Sequence, residues 1–209
     1  MKTSSAFILI TALSLCVSQV CQGQAGKNVK EANKLARDGA EAAKSQEWDK
    51  AVELLRKATA LDHKYADELA TVYQQRGYAF ASNQQYQDAI QDFTEALKLK
   101  SNDARIYEQR AAVEMKMYDY DKALGDYSEI IKLKPSEVRY YNYRAYIYEL
   151  KDDLQISMAD TEKVLKMDPN NQDAKARKQR LEQKLAERTP LTPPPTSSPH
   201  KSPSGKKKP

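Results

Sequence analysis

Cysteine is almost missing from this 209-residue chain: there are two, Cys16 and Cys21. Both fall in the first 25 residues, so the remainder has no disulfide, no thiol nucleophile and no cysteine metal site. Histidine is as scarce. His63 and His200 stand alone, and neither a histidine metal centre nor a Ser-His-Asp triad can be assembled from them. With six glycines there is no Gly-rich phosphate loop, and neither G-x-x-x-x-G-K nor G-x-S-x-G occurs. Acidic pairs such as Asp152-Asp153, or Glu108 with Glu114, read as solvated helical surface rather than as a catalytic dyad. These absences argue against an enzyme and imply no cofactor and no metal.

The net charge of +5 is also less than it looks. Lys201, Lys206, Lys207 and Lys208 contribute +4 and Lys2 the remaining +1, so positions 3–200 are formally neutral (5 − 4 − 1 = 0). A nucleic-acid role would have to rest on the tail alone, and none is expected.

The two ends differ from the middle. Lys2, an apolar run from Ala6 to Val17 and the small-residue end Gly23-Gln24-Ala25 read as a secretory signal over 1–25. Leu15 and Val20 precede the cysteines, where a lipoprotein signal would need a small residue. The chain is therefore expected to be exported, periplasmic or secreted, with an uncleaved membrane anchor as the alternative. Residues 189–209 hold seven of the nine prolines together with Ser, Thr and the closing lysines. Such a composition cannot bury a core and predicts a disordered, partly polyproline II tail. Its lysines could make weak contact with an anionic membrane or cell-wall polymer. That gives a second functional reading, a surface-tethering structural protein acting through this tail.

Between the ends the sequence repeats every 34 residues. Tyr73, Tyr107 and Tyr141 fall in register, as do Arg76, Arg110 and Arg144, then the small residues Gly77, Ala111 and Ala145. Farther on come Tyr86, Tyr120 and Leu154, then Ala89, Ala123 and Ser157, then Phe93, Tyr127 and Thr161, and finally Ser101, Pro135 and Pro169. An earlier copy, offset by 38, carries Gly39, Trp48, Ala51, Leu55, Ala58 and His63. The apolar spacing inside each unit is helical, so each unit should be two helices stacked on the next.

These residues resemble the tetratricopeptide repeat. The resemblance implies an all-α, right-handed solenoid of four helix–turn–helix repeats, about 32–65, 70–103, 104–137 and 138–171. A polar helix over 171–188 would cap it, completing a domain at 26–188. The extra residues at His63–Leu69 are expected to lengthen the first turn. In the fourth repeat Leu154, Ser157 and Thr161 depart from the pattern.

The resemblance also implies a function: a non-enzymatic protein-interaction module or scaffold of the cell envelope or exterior. Helix A of each repeat would line a concave groove that holds an extended peptide or a helix. Template positions put Gln74, Gln75, Tyr78, Arg105, Gln109, Arg139, Asn142, Tyr143 and Tyr146 in that groove. Arg105 and Arg139 are 34 residues apart and would share one wall, favouring a partner with acidic groups. The two-carboxylate clamp that some relatives use on chaperone tails is not reproduced. Its five places hold Ala36, Ala40, Gln75, Arg105 and Gln109 in one frame, and Gln74, Tyr78, Gln109, Arg139 and Tyr143 in the other.

Overall fold

The computed structural model describes residues 26–188. The expected signal over 1–25 and the tail over 189–209, with Lys201, Lys206, Lys207 and Lys208, lie outside the described residues. All regular structure among the described residues is helical. Helix α1 spans residues 26–44. It is followed by α2 (Trp48–Leu61), a 3-10 turn (His63–Tyr65), α3 (Ala66–Ser82), α4 (Tyr86–Leu99) and α5 (Ala104–Lys116). Then come α6 (Tyr120–Leu133), α7 (Val138–Leu150), α8 (Leu154–Met167) and α9 (Gln172–Arg188). The pairs α1/α2, α3/α4, α5/α6 and α7/α8 are the A and B helices of four stacked repeats, and α9 closes the stack.

Small side chains set how near the two helices of a pair come. A Cβ built on Gly77 would lie 3.1 Å from the Phe93 ring, and one on Gly39 would lie 2.9 Å from the Leu55 side chain. Ala89, Ala111, Ala123 and Ala145 are all fully buried. The larger residues Leu55, Phe93, Tyr127 and Ile130 fill the space that remains. Helices α6 and α8 end at Leu133 and Met167, each two residues before a proline that can neither donate to the helix nor tolerate a helical predecessor. Asn171 starts α9 by accepting the Ala174 N–H on its Oδ1 at 3.1 Å, which satisfies one of the helix's orphan donors.

One detail departs from expectation. The extra residues after His63 do not enlarge a loop; they form the 3-10 turn and lengthen α3 to 17 residues, against 13 in α5 and α7. The irregular fourth repeat packs as tightly as the others, because its hydroxyls bond to nearby backbone. Ser157 Oγ donates to the Ala145 carbonyl at 2.8 Å and Thr161 Oγ1 to the Ser157 carbonyl at 2.7 Å, with both residues fully buried.

A second lattice runs through the stack. Arg76, Arg110 and Arg144 each clasp an aspartate 16 residues on, at 2.6–2.9 Å through Nε and Nη2: Asp92, Asp126 and Asp160. The remaining Nη1 reaches back into the preceding repeat. Arg110 bonds Thr94 Oγ1 at 2.9 Å, Arg144 bonds Ser128 Oγ at 3.2 Å, and Arg76 bonds Asp49 at 2.7 Å. Each guanidinium also lies over the tyrosine three residues before it, Tyr73, Tyr107 or Tyr141, at 5.7–5.9 Å. One side chain thus ties helix A to its own helix B and to the repeat before, which fixes the angle between units.

That angle curves the array. α3 packs on α5 and α7 on α9, while successive B helices make no comparable contact with one another. The A helices therefore form the inner, concave wall. α9 buries Ala174, Arg177 and Leu181 against α7 and α8. Lys175, Lys178, Gln179 and Glu182 face the side where a further helix B would pack, and their polarity ends the stack.

Candidate peptide-binding groove

The concave wall divides into two halves. In the first, Gln74, Gln75 and Tyr78 of α3 and Arg105 and Gln109 of α5 line one cleft of about 640 Å³, closed on one side by Trp48 and Gln46. Five of the nine expected groove residues thus share a cavity. Gln74 Nε2 donates to Gln109 Oε1 at 2.6 Å, so two amides are set across the α3–α5 seam with further donor and acceptor capacity. Tyr78 presents a ring that is 61% exposed. The Arg105 guanidinium makes no ion pair within 4 Å among the described residues; only its backbone N–H is engaged, by the Asp103 cap at 3.0 Å. A smaller hollow of about 400 Å³ continues toward α1 past Gln75, Ala40 and Ala43.

In the second half most of the expected residues already have partners. Arg139 lies 3.3 Å from Glu108 and donates to the Tyr140 hydroxyl at 2.5 Å, while that hydroxyl donates to Glu108 at 3.1 Å. The anticipated pair of free arginines is therefore one free arginine, Arg105, and one matched by a carboxylate of the neighbouring helix. Asn142 is held at both ends of its amide: Nδ2 donates to Asn171 at 3.2 Å and Oδ1 accepts from Arg177 at 2.9 Å. The Tyr143 ring lies tilted on Tyr127 with centroids 5.4 Å apart. Burial first, then the neighbouring Tyr143 and Glu108, pushes the Tyr127 phenol above its usual range, so it stays a neutral floor. Tyr143 and Tyr146 remain 46% and 45% exposed.

Sequence reasoning missed the part played by α9. Glu149 of α7 is ringed by Arg180 at 3.0 Å, Arg177 at 3.4 Å and Lys184 at 3.9 Å. Burial works against its charge, but Arg180, Lys184 and Arg177 outweigh it and hold the carboxyl below its usual range. The signal was present in the spacing of 177, 180 and 184, which puts three cations on one helix face. Trp48, which the repeat register places at the start of a helix B, and Gln46, which no sequence pattern singled out, also wall the cleft.

Charge is distributed unevenly. Residues 26–188 contain 29 cations (34 − 5) and 29 anions, and so are formally neutral. The groove positions of the A helices, 33, 36, 37 and 40 in α1 and their equivalents 71, 74, 75 and 78, 105, 108, 109 and 112, and 139, 142, 143 and 146, extended by one repeat to Asp173, Ala176, Arg177 and Arg180 of α9, carry Arg37, Arg105, Arg139, Arg177 and Arg180 against Glu108 and Asp173 (5 − 2 = +3). The inner wall is therefore positive and the rest of the array negative. No group of three or more His, Cys, Asp or Glu that could hold a metal ion occurs among the described residues, and no described helix is long and apolar enough to cross a membrane.

Comparisons agree with this architecture. Residues 77–117 match a family model described as TPR repeat, and residues 138–171 one described as tetratricopeptide repeat. A comparison with curated protein sequences finds no match. Among solved structures, YrrB, described as a TPR protein with an unusual peptide-binding site, aligns with 17% identity and a TM-score of 0.56 over 80% of this chain and 84% of its own. The first TPR of Spaghetti (RPAP3), bound to an HSP90 peptide, aligns with 22% identity and a TM-score of 0.51 over 57% of this chain and 95% of its own. Yeast Tom70 aligns with 27% identity and a TM-score of 0.53 over 57% of this chain but 25% of its own. The chain carries tetratricopeptide repeats in a helical solenoid.

Proposed function

We propose that this protein is a non-enzymatic interaction module that holds an extended, acidic segment of a partner protein in its concave groove, with Arg105 as the principal charge contact. The observation that carries this reading is the cleft formed by Gln74, Gln75, Tyr78, Arg105 and Gln109, in which one guanidinium has no carboxylate partner. The amides pair with the backbone of an extended ligand, the phenol covers it, and the arginine meets a carboxylate. The positive inner wall supports the same reading, and the peptide-bound RPAP3 domain of like fold is consistent with it. The signal-like residues 1–25 support a place in the cell envelope or exterior.

Selection of a random displayed peptide library on the full chain, followed by calorimetric titration of the enriched peptides, tests it. Enriched peptides should be acidic, and Arg105→Ala should weaken them at least about tenfold, since a hydrogen bond to a charged group contributes about 1.5–3 kcal/mol. Lys132→Ala, on the outer helix α6, is the control. Equal losses from both substitutions, or enrichment of basic peptides, would exclude the groove as the site.

A further inference from the structure

We infer that the second half of the concave wall is a distinct subsite, built by α7 and α9, that takes an apolar side chain flanked by carboxylates. The inference rests on the groove reading above and adds to it the composition and spacing of the partner segment.

Three observations carry it. First, Tyr143, Tyr146 and Leu150 of α7 are 46%, 45% and 43% exposed and recur three and four residues apart, so they form one uncovered apolar strip along the wall. In the neighbouring α5 the groove position equivalent to Tyr146 is Ala112, whose small side chain leaves a step beside that strip. Second, Glu149, three residues from Tyr146 and on the side of α7 that α9 covers, draws in Arg177, Arg180 and Lys184. Three cations against Glu149 and the nearby Asp173 leave an excess of one positive charge at the edge of the strip (3 − 2 = +1). Asp173, in the first turn of α9, makes no ion pair within 4 Å among the described residues, but its charge acts on both Arg177 and Arg180. Arg177 is nearly buried, and its Nε has no hydrogen-bond partner. Third, the groove residues closer to Arg105 are tied to one another, Arg139 to Glu108 and Asn142 to Asn171 and Arg177, so they separate the two halves rather than offering free contacts.

A bare apolar strip would accept many occupants; the adjoining positive charge restricts the choice. An apolar residue lies on Tyr146 and Leu150 while carboxylates beside it meet Arg180 and Lys184, and a basic partner is repelled. The cleft at α3–α5 and the strip at α7–α9 are two helix spacings apart, roughly 16–20 Å. An extended chain covers that in about five or six residues at ~3.3 Å each. The partner segment is thus acidic at one point and, five to six residues on, apolar and acidic together. Joining the two contacts in one chain makes the second binding step intramolecular.

The probe is a fluorescein-labelled peptide, Glu-Glu-Ser-Ser-Ser-Leu-Phe-Glu-Glu, titrated with the full chain by fluorescence polarisation. A second peptide has Ser-Ser in place of Leu-Phe. The first should bind at least about tenfold more tightly; Tyr146→Ser should remove most of that advantage while leaving the second peptide's weaker binding unchanged, and Lys184→Ser should weaken both peptides, because both carry the carboxylates that meet it. Both side chains are well exposed, so helical circular dichroism should be unaltered. If Arg105→Ser weakens the first peptide but Tyr146→Ser and Lys184→Ser do not, the subsite is wrong and the cleft reading stands. Equal binding of the two peptides, or no binding of the first at millimolar concentration, overturns the inference; the library selection decides separately whether the groove binds peptide at all.

Discussion

Glu114 is the residue with the largest consequence outside the groove. One repeat earlier Phe80 fills its position and one repeat later Tyr148 does, yet here a carboxylate is 2% exposed. Arg110 cannot neutralise it. Its Nε and Nη2 are committed to Asp126 and its Nη1 to Thr94, so Glu114 stays 3.9 Å away and its Oε2 has no hydrogen-bond partner. Burial first, and then the charge of Asp126, pushes the Glu114 carboxyl up to about 8. Asp119 adds to the rise, while Arg110 and Lys122 oppose it. A carboxyl whose pKa rises on folding is protonated in the fold and ionised in the unfolded chain between its two values. The folded state then binds more protons, and stability falls as pH rises from about 4.5 to about 8. Thermal melts at pH 5, 7 and 9 should show a declining midpoint for the native chain. Glu114→Gln should flatten the decline and melt higher than the native chain at pH 9. A variant that follows the native pH dependence would assign the effect to another group.

At the scale of the element, the turns joining A to B helices store strain at one recurring place. Gln46, Gln84, Tyr118 and Asp152 have φ between 58° and 67°, the left-handed region that glycine adopts without penalty. The geometry persists because each following helix B must start two residues later and point back along helix A, as the Gln85 N–H to Phe80 carbonyl bond of 2.9 Å shows at one of them. Gln84→Gly should raise stability by about 1 kcal/mol, the strain relieved less the extra entropy of glycine in the unfolded chain. Gln85→Gly, where φ is −83°, should not stabilise. Urea unfolding of the two variants separates local strain from a general tolerance of the turn. Of Gln, Gln, Tyr and Asp only the last is a type that visits the left-handed region readily, so this regularity was hidden in the sequence. The Arg–Asp lattice was half legible. The arginine register is plain, and Asp92, Asp126 and Asp160 recur at the same 34-residue step, but only the packed helices show that the two rows face each other 16 residues apart. The groove was legible by the same arithmetic wherever a contact stays within one A helix. The Arg139–Glu108 pair bridges 31 residues, a step set by the superhelical offset between repeats rather than by the repeat period.

For the whole molecule, a stack of repeats is stabilised by nearest-neighbour contacts, so its ends matter more than their length suggests. α9 was readable as a cap because its apolar positions are few. What its composition did not disclose is that its cations satisfy Glu149. Ending the chain after Asn171 would uncover Val164 and Tyr141, which pack in one cluster with Ala174. It would also leave Glu149, whose side chain is 10% exposed, without any of its three cations. An uncompensated buried charge of this kind costs about 3–5 kcal/mol, and the apolar exposure adds to it. The chain truncated after Asn171 should therefore melt well below a chain truncated after Arg188, and Glu149→Gln in the shorter chain should recover part of the difference. Recovery isolates the electrostatic share from the packing share, because the substitution restores no apolar contact. If Glu149→Gln recovers nothing, the carboxylate reaches water once α9 is gone, and the cap acts through burial of Val164 and Tyr141 alone.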